Sequence, residues 1–266
     1  MLKIGILGLG KMGEALARGL IKKAADEYFI EASTRTAESA KEASRRLGIK
    51  CYTDNNELVS KSDIIVLCVK PYQARMVLEE IKNSLKKEQI LISICAAVTT
   101  EQGLGWIEEK ARFVRAMPNT PCLIGEGMTV LAKGRGSDEE HLKVAERIFG
   151  TVGKTAVIDE ALMDGATGLS GCGPAYVYLA IEALSEAGVK VGLPRKTATL
   201  LAAQTLVGAS KMVIERGVHP AELKDEVTTP AGCTIDGLMA LEEGKLRVTL
   251  IKAVLAAAKR SRKLSR

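Results

Sequence analysis

Aromatic side chains are scarce in this chain. Phe, Tyr and Trp together make up 3% of its 266 residues. That is too few for the stacking platforms on which single-stranded nucleic acid is held. Histidine is rarer still, with only His141 and His219, and neither falls in a loop that reads as a site. The six cysteines, Cys51, Cys68, Cys95, Cys122, Cys172 and Cys233, are far apart and form no CxxC pair, so neither a zinc site nor a dithiol motif is expected, and no metal. Most lie in apolar or glycine-rich surroundings, as reduced thiols of a cytoplasmic protein do. The N-terminus "MLKIGILGLG" is broken by glycines and lacks a signal-peptide layout, and no apolar run is read as long enough to span a membrane. Acidic charge falls short of basic charge, and the formal net charge is +6. Much of the excess sits in the tail "KRSRKLSR" (Lys259 to Arg266), which leaves a nearly neutral body. The tail reads as a solvated, frayed helix end whose cations suit a helix C-terminus, in preference to a polyanion-binding arm.

What is present is order of two kinds. Up to Asp159, short apolar runs alternate with helical stretches: "KIGILG", "YFIEAS", "DIIVLCVKP", "QILISIC", "RFVRAMP", "MTVLAKG" and "KTAVID" read as strands. Near-continuous apolar strands between helices predict a parallel sheet covered on both faces. After residue 159 no strand period remains. "PAYVYLAIEALSEAG" and "PRKTATLLAAQTLVGASKMVIERG" start at Pro174 and Pro194 and stop at Gly188 and Gly217, the proline-first, glycine-last asymmetry of helices. The expected architecture is an α/β Rossmann-type domain over residues 1–159, followed by an all-α domain over 160–266. The helices of the second half are rich in Ala and Leu on most faces, so they must be buried on most sides. That predicts a homodimer with intertwined helical domains.

"GLGKMG" (Gly8 to Gly13) follows a strand and opens a helix. In that setting Gly8 and Gly10 permit a tight turn and close approach to a diphosphate. Gly13 lets helix and sheet pack closely, and Lys11 and Met12 begin the helix on whose N-terminus the diphosphate rests. The end of the second strand, "STRT" (Ser33 to Thr36), carries hydroxyls and Arg35 where an acid would select NAD. These groups suit a 2′-phosphate, so NADPH is expected ahead of NADH. Glu31, two residues earlier on the same side of the strand, is the competitor, and Arg35 as a solvated loop cation is the plainer alternative. Further contacts are expected from loops at the strands' carboxyl ends: Val69, Lys70 and Pro71 in "VKP", Ala97 in "CAAVT", and Asn119 in "MPNTP". Asn55 is counted with them.

"GLSGCGPAY" (Gly168 to Tyr176) opens the helical half. β-Hydroxyacid dehydrogenases carry a similar glycine run with a catalytic Lys four residues past its last Gly, and here that position is Val177. "TTPAGCT" (Thr228 to Thr234) interrupts the later helices. By itself it is either a plain interhelical turn or a place where freed N–H groups grip a ligand. Over essentially its full length, the chain resembles the pyrroline-5-carboxylate reductase family. The resemblance rests on "GLGKMG", "VKP", "RAMPNTP", "LSGCGPAYVY", "GVKVGLPR", "AAQTLVGASKM", "HPAELKDEVTTPAGCTIDGL" and "LEEGKLR".

Three positions depart from the family pattern. Cys172 stands where Ser is common, Ala231 where Gly is common, and Cys233 where Thr or Ala is found. Ala231 argues against a left-handed backbone there. The resemblance implies NAD(P)H-dependent reduction of 1-pyrroline-5-carboxylate to L-proline. It places Thr229, Gly232, Cys233 and Thr234 around the substrate carboxylate, with Thr234 as the catalytic residue that orients the ring nitrogen, and Glu160 as a further substrate contact. It also implies dimers, or rings of dimers, in which one subunit's Rossmann half meets its partner's helical half. The rival readings are another NADP-dependent reductase of an imine, a carbonyl or a deazaflavin, and a non-catalytic dinucleotide sensor. A nucleic-acid binder is disfavoured by the neutral body and scarce aromatics.

Overall fold

The computed structural model describes residues 1–265; Arg266, the last residue of the basic tail, lies outside them. In chain order the elements are β1 (Leu2–Leu7), α1 (Lys11–Lys23), β2 (Tyr28–Ser33), α2 (Ala37–Leu47), β3 (Lys50–Tyr52), α3 (Asn55–Lys61), β4 (Ile64–Leu67), α4 (Pro71–Ile81), β5 (Ile90–Ser93), α5 (Thr100–Trp106), β6 (Arg112–Met117), β7 (Gly127–Lys133), α6 (Glu139–Gly150), β8 (Gly153–Val157) and α7 (Met163–Ala166). Helices α8 (Gly173–Lys190), α9 (Arg195–Arg216), α10 (Pro220–Glu226), α11 (Cys233–Glu243) and α12 (Leu246–Leu264) complete the chain. The chain forms two compact units. The first holds Met1–Cys172 and takes back the chain from Ala256 onward; the second is Gly173–Leu255.

In the first unit the eight strands form one sheet in the order β3-β2-β1-β4-β5-β6-β7-β8. Alternate residues of the central strands feed two cores. Ile4, Ile6 and Val66 join Leu16, Leu20 and Phe149 on one face, while Leu7, Ile65 and Leu67 join Leu58, Leu78 and Phe113 on the other. This is why the strands read as unbroken apolar runs. The strand order reverses between β1 and β4, which sets a crevice at their carboxyl ends.

Two features depart from the sequence reading. The pair β6–β7 is antiparallel. No crossover helix separates these strands, only a 3₁₀ turn at Thr120–Ile124, and a short connection returns a strand in the opposite direction. The β3–α3 unit escaped notice because β3 has three residues at the sheet edge and only Tyr52 among them is buried.

The sequence divides at residue 159, where its strand period ends, whereas the first compact unit runs on through α7 and a π-helical turn at Thr167–Gly171. The basic tail is also more ordered than a frayed end. Helix α12 runs to Leu264, and Ser261, which is buried, donates to the Asp164 carboxylate at 2.6 Å. The Gln102 amide donates to the carbonyl of Ser265 at 3.2 Å.

The second unit is helical throughout. Helices α8 and α9 pack closely enough that a Cβ on Gly188 would sit 2.7 Å from that of Ala198. His219 caps α10 by accepting from the Ala221 N–H, and Arg216 grips Glu226 through two nitrogens at 2.6 and 2.8 Å. Large apolar side chains remain exposed along these helices, among them Leu179, Leu200, Val191 and Leu255 at more than 60%. Helix α9 is, by length and mean hydropathy, apolar enough to cross a membrane. Its apolar run is nonetheless interrupted. The charged residues at its ends and Lys211 break its string of one-letter apolar codes, but the average over the helix passes.

Candidate functional site

The turn Gly8–Gly10 connects β1 to α1 at the crevice. Gly8 has φ +94°, in the left-handed region, and its N–H donates to the Ser33 carbonyl at 3.1 Å. A Cβ on Gly13 would lie 2.3 Å from the Gly8 carbonyl oxygen, so only glycine lets α1 start this close to the strand. Gly10 is different. A Cβ there would meet nothing within 4 Å, so no packing within the protein requires this glycine. Gly10 caps α1 without any side-chain acceptor. No side chain caps the first N–H groups of α1, and with the helix dipole behind them they form a cradle that fits a diphosphate. Exposed Lys11, Arg35 and Lys70 supply positive charge along the same sheet edge.

The second strand's end is arranged by its neighbours. Ser33 is buried and donates to Asn55 Oδ1 at 2.7 Å, while Asn55 Nδ2 donates to the Glu80 carboxylate at 3.2 Å. Ser33 and Asn55 are thus brought together, as a tie between β2 and α3. Glu31 is also buried and accepts from the Tyr52 hydroxyl at 2.8 Å. Arg35 is left at the surface, whereas the Thr34 hydroxyl donates to the Thr36 carbonyl and the Thr36 hydroxyl caps α2 by accepting from the Ser39 N–H.

Three loops complete this edge. Val69 packs against the core, Lys70 caps α4, and Pro71 opens that helix. Cys68 and Cys95 flank the crevice, and burial pushes both thiols up, Cys95 to about 11, which leaves them protonated and unreactive. Ala97 has φ +63°. A left-handed alanine costs about 1–2 kcal/mol, and such strain persists where the surroundings fix it, often at functional sites. The Asn119 side chain spans two backbone groups: Oδ1 accepts from Met128 N–H at 2.9 Å, and Nδ2 donates to the Ser170 carbonyl at 3.1 Å. Its side chain thus holds the loop after β6.

Glu160 belongs to this first unit. Its Oε1 accepts from Thr100 N–H at 2.7 Å and from Arg115 Nη1 at 3.1 Å, and its Oε2 accepts from Thr100 Oγ1 at 2.5 Å. Arg115 is buried. Sequence reading missed Thr100, Arg115 and Tyr52. They are ordinary strand and helix residues, and only the sheet brings them to their carboxylate partners.

In the second unit the other predicted substrate residues do cluster. The Gly232 N–H donates to the Thr229 carbonyl at 3.0 Å, closing a turn through Pro230 and Ala231. Ala231 has φ +58°, which corrects the expectation that alanine argues against a left-handed residue here. Pro at the second position and a positive φ at the third are the marks of a type II turn, and that geometry overrides the side chain's preference. A Cβ on Gly232 would fall 2.4 Å from Thr229 Oγ1. Gly232 caps α11 with no side-chain acceptor, and Cys233 and Thr234 form its first turn. Their N–H groups are free of a side-chain cap, which suits an anion. Among the described residues no cluster of metal-ligating side chains occurs.

A Rossmann-type sheet with an open diphosphate cradle, followed by an all-helical half, defines a nicotinamide-dinucleotide oxidoreductase. Comparison with known proteins narrows the class. Residues 160–264 match the family model for pyrroline-5-carboxylate reductase dimerisation, and residues 3–97 match the model for NADP oxidoreductase, coenzyme F420-dependent. A relative named pyrroline-5-carboxylate reductase from Arabidopsis thaliana is 42% identical over 264 residues, covering 99% of this chain and 95% of the relative. The solved pyrroline-5-carboxylate reductase of Coxiella burnetii superposes with a TM-score of 0.95 at 36% identity, covering 100% of this chain and 99% of that one. The pyrroline carboxylate reductase of Plasmodium falciparum, solved with NADP bound, gives 0.87 at 36% identity, covering 100% and 98%. The chain belongs to the pyrroline-5-carboxylate reductase family.

Proposed function

We propose that this protein reduces 1-pyrroline-5-carboxylate to L-proline with NADPH, accepting NADH less well. When bound, the nicotinamide supplies a hydride to the imine carbon. Gly8, Gly10, Lys11, Met12 and Gly13 hold the diphosphate, and Arg35 takes the 2′-phosphate. Val69, Lys70, Pro71, Ala97 and Asn119 border the cofactor through their loops, while Ser33 and Asn55 shape the ribose end. Thr229, Gly232 and Cys233 present backbone N–H groups to the substrate carboxylate, and Thr234 orients the ring nitrogen. A protonated imine is already a strong electrophile, so positioning and electrostatics carry the reaction without a strong acid. This matches a chain in which neither His lies in a site loop.

The observation that carries this reading is the start of α11. An uncapped helix N-terminus follows a type II turn in a loop of small residues, and an anion such as a carboxylate is what such a terminus receives. In this reading residues 1–159 bind the dinucleotide, and 160–266 form the substrate loop and the dimer. The exposed apolar helices of the second unit are covered by a second copy of the chain, with a ring of dimers as the larger assembly. Neither nucleic acid nor membrane is proposed as a partner. Six free cysteines suit a reducing, cytoplasmic setting.

The deciding experiment is a steady-state assay of 1-pyrroline-5-carboxylate with NADPH and NADH in parallel, followed at the nicotinamide absorbance. A panel of other imines and carbonyls runs beside it. Turnover of a different substrate class, or cofactor binding without any turnover, would defeat this reading.

A further inference from the structure

We propose that Glu160 is a positioning residue for the cofactor, pinning the Cys95–Thr99 loop at the carboxyl edge of the sheet. The inference rests on the reading that this edge takes the dinucleotide. It gives Glu160 a role other than substrate contact, and the reason is where its oxygens are spent. Both accept from within the first unit, from the Thr100 N–H, the Thr100 hydroxyl and the Arg115 guanidinium. A carboxylate with three donors at 2.5–3.1 Å has most of its accepting capacity taken up within its own unit.

The contacts fix a particular piece of chain. Thr100 is the first residue of α5, and the loop that precedes it contains left-handed Ala97. The loop leaves β5 at Ser93, whose hydroxyl accepts from the Cys95 N–H at 3.3 Å. Ser93 is also the register partner of Arg115 on β6. Glu160 therefore connects the loop's far end, at Thr100, to the strand beside its near end. Thr100 also lies close against the chain just after β7, where a Cβ on Gly134 would stand only 2.9 Å from its own Cβ. The Thr99–Gln102 capping box holds the same turn of α5. Arg115 is buried, and its Nη2 has no hydrogen-bond partner, so Glu160 is the only counter-charge paired with it among the described residues. Removing that carboxylate leaves a buried cation without its counter-charge and unties the loop's far end at Thr100 from the strand at Arg115.

The test uses the full chain and the variants Glu160→Gln, Glu160→Ala and Thr100→Val. The dissociation constant for NADPH, KM for each substrate, kcat and Tm are measured for each. Glu160→Gln is expected to raise the NADPH dissociation constant and KM five-fold or more, while KM for 1-pyrroline-5-carboxylate stays within two-fold. Thr100→Val removes one of the bonds and keeps the charge pair, so a smaller rise in the same constant is expected. Combining Glu160→Gln with Thr100→Val in one chain should be no worse than Glu160→Gln alone, because both act through one contact. A rise confined to KM for the imine would overturn the proposal in favour of substrate contact. A lower Tm with unchanged NADPH binding would overturn it in favour of a purely structural tie. If Glu160→Ala does not fold, Thr100→Val decides between the same outcomes. A wild-type protein that binds NADPH but leaves the imine untouched would sink the substrate assignment, while the NADPH constants would still decide the role of Glu160.

Discussion

The Tyr52 hydroxyl donates to the Glu31 carboxylate at 2.8 Å, with both residues buried. The acid near the end of the second strand is thereby turned toward the sheet edge. The charged group left at the surface there is Arg35. One charge-assisted bond is worth about 1.5–3 kcal/mol, or roughly 10- to 150-fold. Arg35→Ala is therefore expected to lower kcat/KM for NADPH by about 10-fold or more and to leave the value for NADH within about two-fold. Parallel titration of the two cofactors measures this, and equal losses for both would remove Arg35 from the 2′-phosphate.

Gly10 and Gly13 separate packing from ligand binding. A methyl at Gly13 meets the Gly8 carbonyl at 2.3 Å, while a methyl at Gly10 meets no protein atom within 4 Å. Gly13→Ala should lower Tm and distort the turn. Gly10→Ala should fold with an unchanged Tm and bind NADPH about 10-fold more weakly, since the added methyl occupies space assigned to the diphosphate. Thermal denaturation with and without NADPH compares the two, and full affinity in Gly10→Ala would count against the cradle.

Thr234 sits in the first turn of α11, two residues past the uncapped Gly232. Thr234→Ala is expected to lower kcat/KM for 1-pyrroline-5-carboxylate by about 10-fold or more, with NADPH binding unchanged, as the loss of one bond to a charged group requires. Unaltered steady-state kinetics would take the residue out of the site.

Ala231 holds a left-handed conformation at φ +58°. Glycine avoids the ~1–2 kcal/mol cost of that conformation but loses more backbone entropy on folding. The net effect of Ala231→Gly is a gain of about 0.5–1 kcal/mol and a Tm higher by about 1–3 °C. Ala231→Val, with a branched Cβ, should destabilise. Calorimetry of the pair checks the sign of each change.

The parts of this fold that show in the sequence are those with local causes. The β1 turn is written in three glycines, and the starts and stops of α8 and α9 in prolines and glycines. The uncapped start of α11 is visible as a break between helices. What stays hidden depends on partners distant along the chain. Glu160 meets Thr100 and Arg115 from 60 and 45 positions away, so its own neighbours say nothing of its bonds. The direction of β7 is not written in its own apolar run, which reads the same in either sense, but in the short, helix-free connection before it. At Ala231 the turn's demand outweighs the residue's own preference, and only the family pattern of glycine pointed there.

The return of α12 to the first unit bears on how the protein is made. Ser261 and Ser265, which bond to Asp164 and Gln102, leave the ribosome after the whole helical half has been synthesised. The sheet can collapse early, but these ties close only after the helical half between them has been made. Truncation before Ser261 therefore strips two ties from the first unit, although the sequence places them far from its strands.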